Sequence, residues 1–357
     1  MNVEPLLSAL FHQGGSDLHL KVGSPPLIRS HGQLMPLEGP ALSAEDTREV
    51  AAELLPPDRY ERLDREGDAE IARSFAGLGR YRINFYSQRQ VIGGVFRLVA
   101  SRIPGVADLG LPVLIDTLAE ERRGLLLVTG PAGTGKTTTI AAMIGHINHT
   151  RRCHIITLED PIEALHADRL ASIDQREIGI DTLSYATGLR FALRQDPDVL
   201  FIGEIRDAEA AEAALNAAET GHLVISTMHT IDAAETLNRY VEMFPAERHK
   251  QVRMSLAGSL RAVISQRLVP RADGTGRLPA VEIMVVNGRV SDLIVDPGRP
   301  GASLTQIMEE GGSYGMQTFD QALIEMVRRG DVAIDDARIA SSSPHDFGLA
   351  LASAQLI

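Results

Sequence analysis

The stretch of residues 130–137 constrains the fold most, because it has the spacing of a phosphate-binding loop. Its sequence, Gly-Pro-Ala-Gly-Thr-Gly-Lys-Thr, fits the pattern of a glycine, four residues, then glycine, lysine and threonine. The apolar run at 125–128 predicts a buried strand before the loop, and residues 138–147 predict a helix after it. A strand, a glycine-rich turn and a helix in this order predict a nucleotide site in an α/β domain.

The residue types of the loop suit phosphate oxygens. Its three glycines let backbone N–H groups converge without a Cβ in the way, and the following helix adds the positive end of its dipole. Lys136 is expected to reach the β- and γ-phosphates, and the Thr137 hydroxyl is expected to bind Mg²⁺. The predicted cofactors are ATP and Mg²⁺. The loop residues predicted to bind them are Gly130, Pro131, Ala132, Gly133, Thr134, Gly135, Lys136, Thr137 and Thr138.

Composition narrows the class of protein. The chain has 357 residues, 44% of them hydrophobic, which is enough for two domains with substantial cores. With 47 acidic and 35 basic residues its net charge is −12, so nucleic acid is not an expected partner. No apolar run approaches the roughly 20 residues that span a bilayer, and no signal-peptide pattern is present, so we expect a cytoplasmic protein. The single cysteine, Cys153, excludes an internal disulfide and a Cys₄ zinc site.

The pattern of turns and apolar runs predicts two domains. Residues 1–102 are expected to form a small α+β domain, 103–108 a linker, and 109–357 the ATP-binding domain. In the first domain, Gly32 and Gln33 suggest a hairpin. Three further expectations concern the second domain: a helix from Pro245 to about Leu268, a hairpin around Asn287-Gly288, and a weakly patterned tail from Ser341.

Residues 80–102 are unusual for an acidic protein. They contain no Asp or Glu and five arginines, which are Arg80, Arg82, Arg89, Arg97 and Arg102. A solvated edge strand is one explanation, because charge on an edge discourages aggregation. The stretch has no lysine, however, and the planar fork of arginine suits phosphate oxygens. We therefore expect at least one of these arginines to contact a phosphate or a neighbouring subunit.

Acidic residues follow two predicted buried strands. The predicted strand at 154–158 is followed by Glu159, Asp160 and Glu163. In a parallel α/β sheet, ligands bind at the carboxyl ends of the strands, so this position favours a site beside the phosphates. A turn capped by Asp-Pro remains an alternative. The strand at 199–202 ends in Gly203-Glu204, with glycine at the place where a Walker-B strand commonly has aspartate. Glu204 is therefore expected to hold Mg²⁺ through water. The predicted metal ligands are Thr137, Glu159, Asp160 and Glu204.

Two histidines, His222 and His229, flank the predicted strand at 223–227. A lone histidine is usually without chemistry, but two at the ends of one strand in an ATPase core are candidates for sensing the γ-phosphate or aligning subunits. No nearby cysteine or third histidine completes a metal site with them.

Four segments together resemble the ATPase boxes of the secretion and type IV pilus motors. They are residues 130–137, 156–163, 196–207 and 220–230, matching Walker A, an Asp box, Walker B and a His box. Within that superfamily, residues 16–20, 80–84, 175–177 and 315–320 resemble the pilus retraction ATPases. The resemblance covers nearly the whole chain. It implies a ring hexamer whose subunits carry a PAS-like N-terminal domain and a RecA-like ATPase domain, with nucleotide held between domains and subunits.

The resemblance also implies roles for particular residues. Glu163 would be the catalytic base, and Glu204 would support Mg²⁺ and water. Arg80, Arg82 and Arg97 would contact phosphates, with arginine fingers among them. The implied function is a motor, attached peripherally to the inner membrane, that retracts pili by depolymerising them. Its implied partners are further copies of the chain, the inner-membrane platform protein and other pilus ATPases.

Two alternatives remain open. One is an extension or type II secretion ATPase of the same superfamily, although that branch typically carries a longer N-terminal region and a tetracysteine zinc loop. The other is an accessory ring subunit that acts mainly by binding another motor. Residues 288–296 depart from the pattern of the retraction ATPases in the segment that contacts a partner.

Overall fold

The computed structural model describes residues 1–30, 33–99, 103–299 and 303–356. The chain divides into two compact units, residues 1–102 and 103–357, each with its own sheet. Gly32 and Arg102, which the sequence analysis placed in a hairpin and in the arginine run, lie outside the described residues. Over the described ranges, no helix has both the length and the apolar character needed to cross a membrane.

The first unit is an antiparallel sheet with helices. Its strands are ordered β3-β2-β1-β6-β5-β4, and each neighbouring pair is antiparallel. The elements are α1 (Glu4–His12), β1 (Asp17–Leu20), β2 (Leu27–Ser30), β3 (Gln33–Pro36), α2 (Ala44–Leu54), α3 (Pro57–Glu66), β4 (Asp68–Phe75), β5 (Gly79–Gln88) and β6 (Val91–Leu98).

The two faces of this sheet differ because side chains alternate along a strand. On β5, Tyr81, Ile83 and Phe85 are buried in the core shared with the helices. Arg82 points to the opposite face, and pairing between strands aligns it with Arg97 on β6 and then with Asp17 on β1. A row of charged residues therefore crosses the middle of the sheet on the face away from the core.

The second unit is built on a mainly parallel sheet of order β13-β12-β7-β11-β10-β8-β9, in which only the β12–β13 pair is antiparallel. Two short 3₁₀ turns, Ala246–Arg248 and Gly311–Tyr314, supplement it. The elements are α4 (Leu114–Ala119), β7 (Gly124–Thr129), α5 (Lys136–Thr150), β8 (His154–Glu159), β9 (Ser172–Glu177), α6 (Tyr185–Ala192), β10 (Val199–Ile202), α7 (Ala208–Glu219), β11 (Leu223–Met228), α8 (Ala233–Glu242), α9 (His249–Ser259), β12 (Leu260–Pro270), β13 (Arg277–Val285), α10 (Gly288–Val295), α11 (Leu304–Glu310), α12 (Phe319–Arg328), α13 (Ile334–Ala340) and α14 (Pro344–Ser353).

Helices cover both faces of this parallel sheet. Every residue of β7 is buried, and Leu125 and Leu127 join one hydrophobic cluster while Leu126 and Val128 join the other. Such continuous apolar strands are typical of parallel sheets, which are covered on both faces. Since β7, β8, β10 and β11 run in the same direction, the loops that follow them meet at one edge. The predicted mixed α/β fold class is confirmed.

Two predictions of local structure are wrong. The helix predicted to reach Leu268 ends at Ser259, and β12 begins at Leu260 because its apolar residues pair with β7 in the core. The hairpin predicted at Asn287 does not form, since β13 pairs with β12 and the Asn287 side chain instead caps α10.

Several elements of the second unit were not anticipated, among them one strand and two helices that bear on the site and the tail. The strand β9 and the helix α6 lie between the Asp box and Walker B, and α14 lies in the tail from Ser341. The tail is ordered by burial of Phe347 and Leu351 against the C-terminal helices and the end of β12.

Candidate active site

The phosphate loop joins β7 to α5. The helix begins at Lys136, and Gly135 precedes it with a left-handed φ of 90°. Gly130 has a φ of 141°, and a Cβ at this position would lie 2.5 Å from the carbonyl oxygen of Gln266 on β12. Only glycine fits so close to a neighbouring strand. The start of the loop is thus fixed by packing against β12.

The shape of the loop fits a phosphate group. Gly133 and Gly135 both have positive φ, and apart from the adjoining residues no atom of the described residues lies within 4 Å of where their Cβ atoms would be. The first N–H groups of α5 have no partner within the helix and lie directly behind the loop. Backbone amides that converge at a helix N-terminus form an anion-binding concavity.

Lys136 connects the loop to the acidic residues of the site. Its side chain is buried, and Nζ donates to the carbonyl oxygens of Gly130 and Pro131 at 2.8 and 2.9 Å. Burial lowers the pKa of Lys136, while the nearby carboxylates of Glu204 and Glu163 act to raise it. The lysine, the predicted base and the predicted Walker-B glutamate therefore lie in one site.

The three acidic residues of the Asp box have different environments at the end of β8 and in the loop after it. Asp160 and Glu163 are exposed, whereas Glu159 is 6% exposed. The Oε1 atom of Glu159 accepts hydrogen bonds from the Thr157 hydroxyl at 2.6 Å and from the Gln175 amide at 3.0 Å, and burial raises its pKa. These contacts place the Glu159 carboxylate in the protein interior, contrary to its predicted role as a Mg²⁺ ligand.

Glu204 follows β10 and is 9% exposed. It pairs with Arg206, and its Oε2 lies 3.4 Å from Nε2 of His229 at the end of β11. A Cβ on Gly203 would lie 2.7 Å from the Tyr185 hydroxyl, which explains why glycine stands where aspartate is common. The ends of β10 and β11 thus bring together two of the predicted site residues.

His222 lies at the other end of β11 from His229. Leu223 is aligned with Gly124 at the start of β7, and the backbone N–H of Gly124 donates to the His222 carbonyl at 3.0 Å. At about 3.3 Å per residue, the length of β11 separates His222 by roughly 17 Å from the edge of the sheet where the phosphate loop lies. The prediction that His222 binds the nucleotide is therefore wrong for the loop of its own chain, while a role in aligning subunits stays a prediction.

The predicted arginines of the first unit are paired within that unit. Arg97 donates from Nε to Oδ1 of Asp17 at 2.7 Å, and the Asp17 side chain is 5% exposed. Burial acts to raise the pKa of Asp17, but hydrogen bonds from Arg97 and Ser16 outweigh it and lower the pKa. Arg82 pairs with Glu70 on β4, and both side chains are partly exposed. Arg80 is half-buried on β5, two residues from Arg82.

A profile of the family described as "Type II/IV secretion system protein" matches residues 111–321, more than half of the chain. The chain belongs to this secretion-system family. Its match contains the phosphate loop and the three loops that meet beside it.

Relatives of this secretion-system protein match it over nearly its full length. In Pseudomonas aeruginosa, the type IV pilus ATPase PilU is 39% identical, with 98% of this chain and 91% of PilU covered. The retraction ATPase PilT of the same organism is 38% identical, with 97% and 100% covered. A crystal structure of the pilus retraction motor PilT with bound ADP superimposes with a TM-score of 0.87 at 39% identity, covering 97% of this chain and 98% of that one. The resemblance to these ATPases is confirmed, and the chain is an ATP-hydrolysing, nucleotide-binding enzyme.

The secretion-family site contains residues that the sequence analysis did not single out. Gln266 was missed because its strand was predicted as a helix. Its amide nitrogen donates to Thr139 Oγ1 of α5 at 2.9 Å. Arg206 lies inside the Walker-B segment, and Gln175 begins the 175–177 motif. Their positions in these motifs are the sequence signals that could have identified both residues. No sequence signal marks Tyr185, which approaches Gly203 only through packing of α6.

Proposed function

We propose that this chain is a ring-forming ATPase that couples ATP hydrolysis to the retraction of type IV pili. The observation that carries the proposal is the meeting of Lys136, Glu163 and Glu204 at one edge of the sheet. This set occurs in a chain that matches a retraction ATPase over 97% of its length. A complete set of hydrolytic residues favours a working motor.

The residues of the site divide the work of phosphoryl transfer. Lys136 and the loop amides would hold the phosphates, while Thr137 and Glu204, the latter through water, would hold Mg²⁺. Among the residues that the structure describes, no three His, Cys, Asp or Glu side chains converge on a metal position. Phosphate oxygens and water would therefore supply the other ligands, as is usual for Mg²⁺. The bound ion would neutralise charge on the phosphates. His229, beside Glu204, would respond to the γ-phosphate.

Glu163 is the proposed general base, because it is exposed and lies close to Lys136. Glu163→Gln keeps the shape of the side chain and removes the proton acceptor. We expect ATP binding to persist and turnover to fall by about 10²–10⁴-fold. Glu204→Gln is also expected to impair turnover, through misplaced Mg²⁺ and water. Near wild-type turnover in Glu163→Gln, with loss in Glu204→Gln, would assign the base to Glu204 instead.

Arg82 is the better candidate for an arginine finger that serves a neighbouring subunit. Its ion pair with the partly exposed Glu70 is of a kind worth about 0–1 kcal/mol, so the arginine can exchange it for a phosphate. Arg97 is held by a buried carboxylate, which would be left unpaired if the arginine moved. Arg80 stays a proposed phosphate contact.

Mixing inactive subunits tests whether the arginine acts between subunits. Arg82→Ala subunits and Glu163→Gln subunits are each expected to be inactive alone. In a mixed ring, a subunit with an intact base could use the arginine of its neighbour, so activity should return. The same mixture with Arg97→Ala subunits shows which arginine acts. Failure of every mixing ratio to restore hydrolysis would contradict a shared site.

The assembly proposed for the motor is a homohexamer at the cytoplasmic side of the inner membrane. Its proposed partners are the pilus platform protein and other pilus ATPases, in keeping with the similarity to PilU as well as PilT. Deletion of the gene followed by counting of surface pili tests the direction of movement. Excess pili without twitching support retraction, whereas bald cells would indicate extension.

The second candidate is an accessory motor subunit. It is favoured by the identity to PilU, which at 39% equals the identity to PilT within one per cent. Hydrolysis by the purified chain alone separates the two candidates, because a principal motor needs no other ATPase for turnover.

A further inference from the structure

The strand β9 contributes side chains to the Asp-box loop that carries Glu163. It pairs in parallel with β8, and this register places Gln175 opposite Thr157 and Glu177 opposite Glu159. Gln175 and Glu177 both reach past the end of β8. Their polar groups meet the backbone of residues 162–166, which is the segment around the proposed base.

The amide of Gln175 makes three hydrogen bonds there. Its Nε2 donates to Oε1 of Glu159 at 3.0 Å and to the carbonyl oxygen of Ala164 at 2.8 Å. Its Oε1 accepts from the backbone N–H of His166 at 2.9 Å. The opposite orientation of the amide would set its oxygen against two other oxygens, so only this one satisfies all three partners.

Glu159 completes the arrangement from the end of β8. Its carboxylate accepts from the Thr157 hydroxyl and from the Gln175 amide, so it holds Gln175 in place against the loop. Glu177 accepts from the backbone N–H of Ile162 at 3.4 Å. The backbone N–H of Ile162 and the carbonyl oxygen of Ala164, on either side of Glu163, are therefore hydrogen-bonded to side chains of β9, while the Glu163 side chain is exposed.

Simple ordering of a loop does not require this chemistry. Burying the Glu159 carboxylate costs desolvation energy, and apolar residues of similar volume would fill the same space without that cost. What the polar groups add is direction, because hydrogen bonds fix the loop backbone at defined distances. A shift of about 1 Å in a reacting group can cost about 10²-fold in rate.

We propose that Glu159 and Gln175 are positioning residues, which hold the loop so that the Glu163 carboxylate faces the water attacking the γ-phosphate. This inference rests on the proposed role of Glu163 as general base. It assigns to Glu159 a task in hydrolysis that is different from metal binding.

Gln175→Met is the first test, because methionine has a similar length and cannot make the three hydrogen bonds. We expect kcat to fall by about 10–100-fold. The KM for ATP should change by less than about twofold, because Lys136 and the phosphate loop are untouched. Gln306→Met, a change at an exposed glutamine of α11, is the matched control and should leave both constants unchanged. A parallel loss of kcat and ATP affinity would overturn the proposal.

A double-mutant cycle with Glu163→Gln separates positioning from general damage to the fold. If Gln175 acts through the base, Gln175→Met should lower the residual single-turnover rate of Glu163→Gln by less than about twofold. The same 10–100-fold loss in both backgrounds would overturn the positioning role. Wild-type turnover in Glu163→Gln alone would overturn the general base instead, and the positioning role with it.

If Gln175→Met does not fold, Thr157→Val takes its place in the double-mutant cycle with Glu163→Gln. It preserves the shape of a fully buried side chain and removes only the hydroxyl that donates to Glu159. Its expected effect on kcat is a few-fold, and this effect should vanish in the Glu163→Gln background. Persistence of the effect there would contradict the proposal.

Discussion

The two units place their functional side chains in different ways. In the second unit, Lys136 at the start of α5 and Glu163 and Glu204 in loops all lie beyond the carboxyl ends of parallel strands. In the first unit, Arg82 and Arg97 stand in the middle of antiparallel strands, on one face of the sheet. Residues at strand ends are held by the backbone of their loops. Residues in mid-strand take partners from the neighbouring strands, so they have contacts within the unit whether or not a ligand is present.

This difference changes what an arginine-rich strand can indicate. The argument from the lack of lysine at 80–102 is weak, because the whole chain has three lysines, Lys21, Lys136 and Lys250. The ion pair with buried Asp17 explains why an arginine stands at position 97, and no ligand is needed for that explanation. Arg82 pairs with Glu70, which is partly exposed. Arg82 is therefore the arginine for which a phosphate contact is best supported.

The largest expected effect concerns the strand-end site. Lys136→Ala should abolish ATP binding, since it removes the charge that faces the phosphates. The loop should also loosen, because Nζ bonds two of its carbonyls. Nucleotide titration checks this result, with Lys250→Ala at an exposed lysine as the control. Unchanged affinity in Lys136→Ala would exclude residues 130–137 as the phosphate site.

The next effect concerns the mid-strand arginines. Arg82→Ala should lower kcat by about 10³–10⁵-fold if the arginine stabilises the transition state. Glu70→Ala breaks the same ion pair from the other side and should leave turnover near wild type. ATPase assays of the two variants decide the matter. Equal turnover in both would show that Arg82 is only a structural partner of Glu70.

A third prediction compares a buried carboxylate of the second unit with these exposed pairs. Glu282 on β13 is 8% exposed and accepts from the backbone N–H of Ala233 at the start of α8. Burial raises the pKa of Glu282 from 4.5 to about 7. The fold thus favours the protonated form, so its contribution to stability is complete below pH 4.5 and is lost as the pH rises through 7.

The wild-type chain should therefore lose roughly 3 kcal/mol of stability between pH 5 and pH 8 through this group. Glu282→Gln lacks the titration, so its Tm should fall less over the same range. Calorimetry at both pH values measures the difference, with Glu309→Gln at an exposed position as the control. Identical pH dependence in wild type and Glu282→Gln would contradict the prediction.

The smallest expected effect is the loss of stability when either partner of the Arg97–Asp17 ion pair is removed. Arg97→Ala leaves the buried Asp17 carboxylate without its charged partner and should cost about 1–3 kcal/mol. Asp17→Asn leaves only the largely exposed Arg97, which water can solvate, and should cost less. Urea denaturation of the two variants gives the order. A greater loss in Asp17→Asn would mean that the aspartate, rather than the ion pair, organises the strand.

Much of the candidate site could be predicted because it follows the chain. The loop at 130–137 is a contiguous pattern, and Glu163 and Glu204 each follow an apolar run that forms a parallel strand. Since ligands lie beyond the carboxyl ends of such strands, strand direction alone gathers these residues at one edge. The same reasoning failed for His222, because a histidine before a strand lies at the edge opposite to one that follows it.

Other features depended on which segments pair. Residues 260–268 are apolar enough for a helix or a strand, and pairing with β7 makes them a strand. That pairing explains the glycine at 130, since a Cβ would meet the carbonyl of Gln266. The role of Glu159 was decided in the same way. The sequence by itself determined that an acidic residue stands at the end of β8. The pairing of β9 brings Gln175 to it and turns a predicted metal ligand into a buried hydrogen-bond acceptor. The local sequence pattern determines which residues lie at the end of a strand. Contacts between segments that are distant in sequence decide which groups each of those side chains contacts.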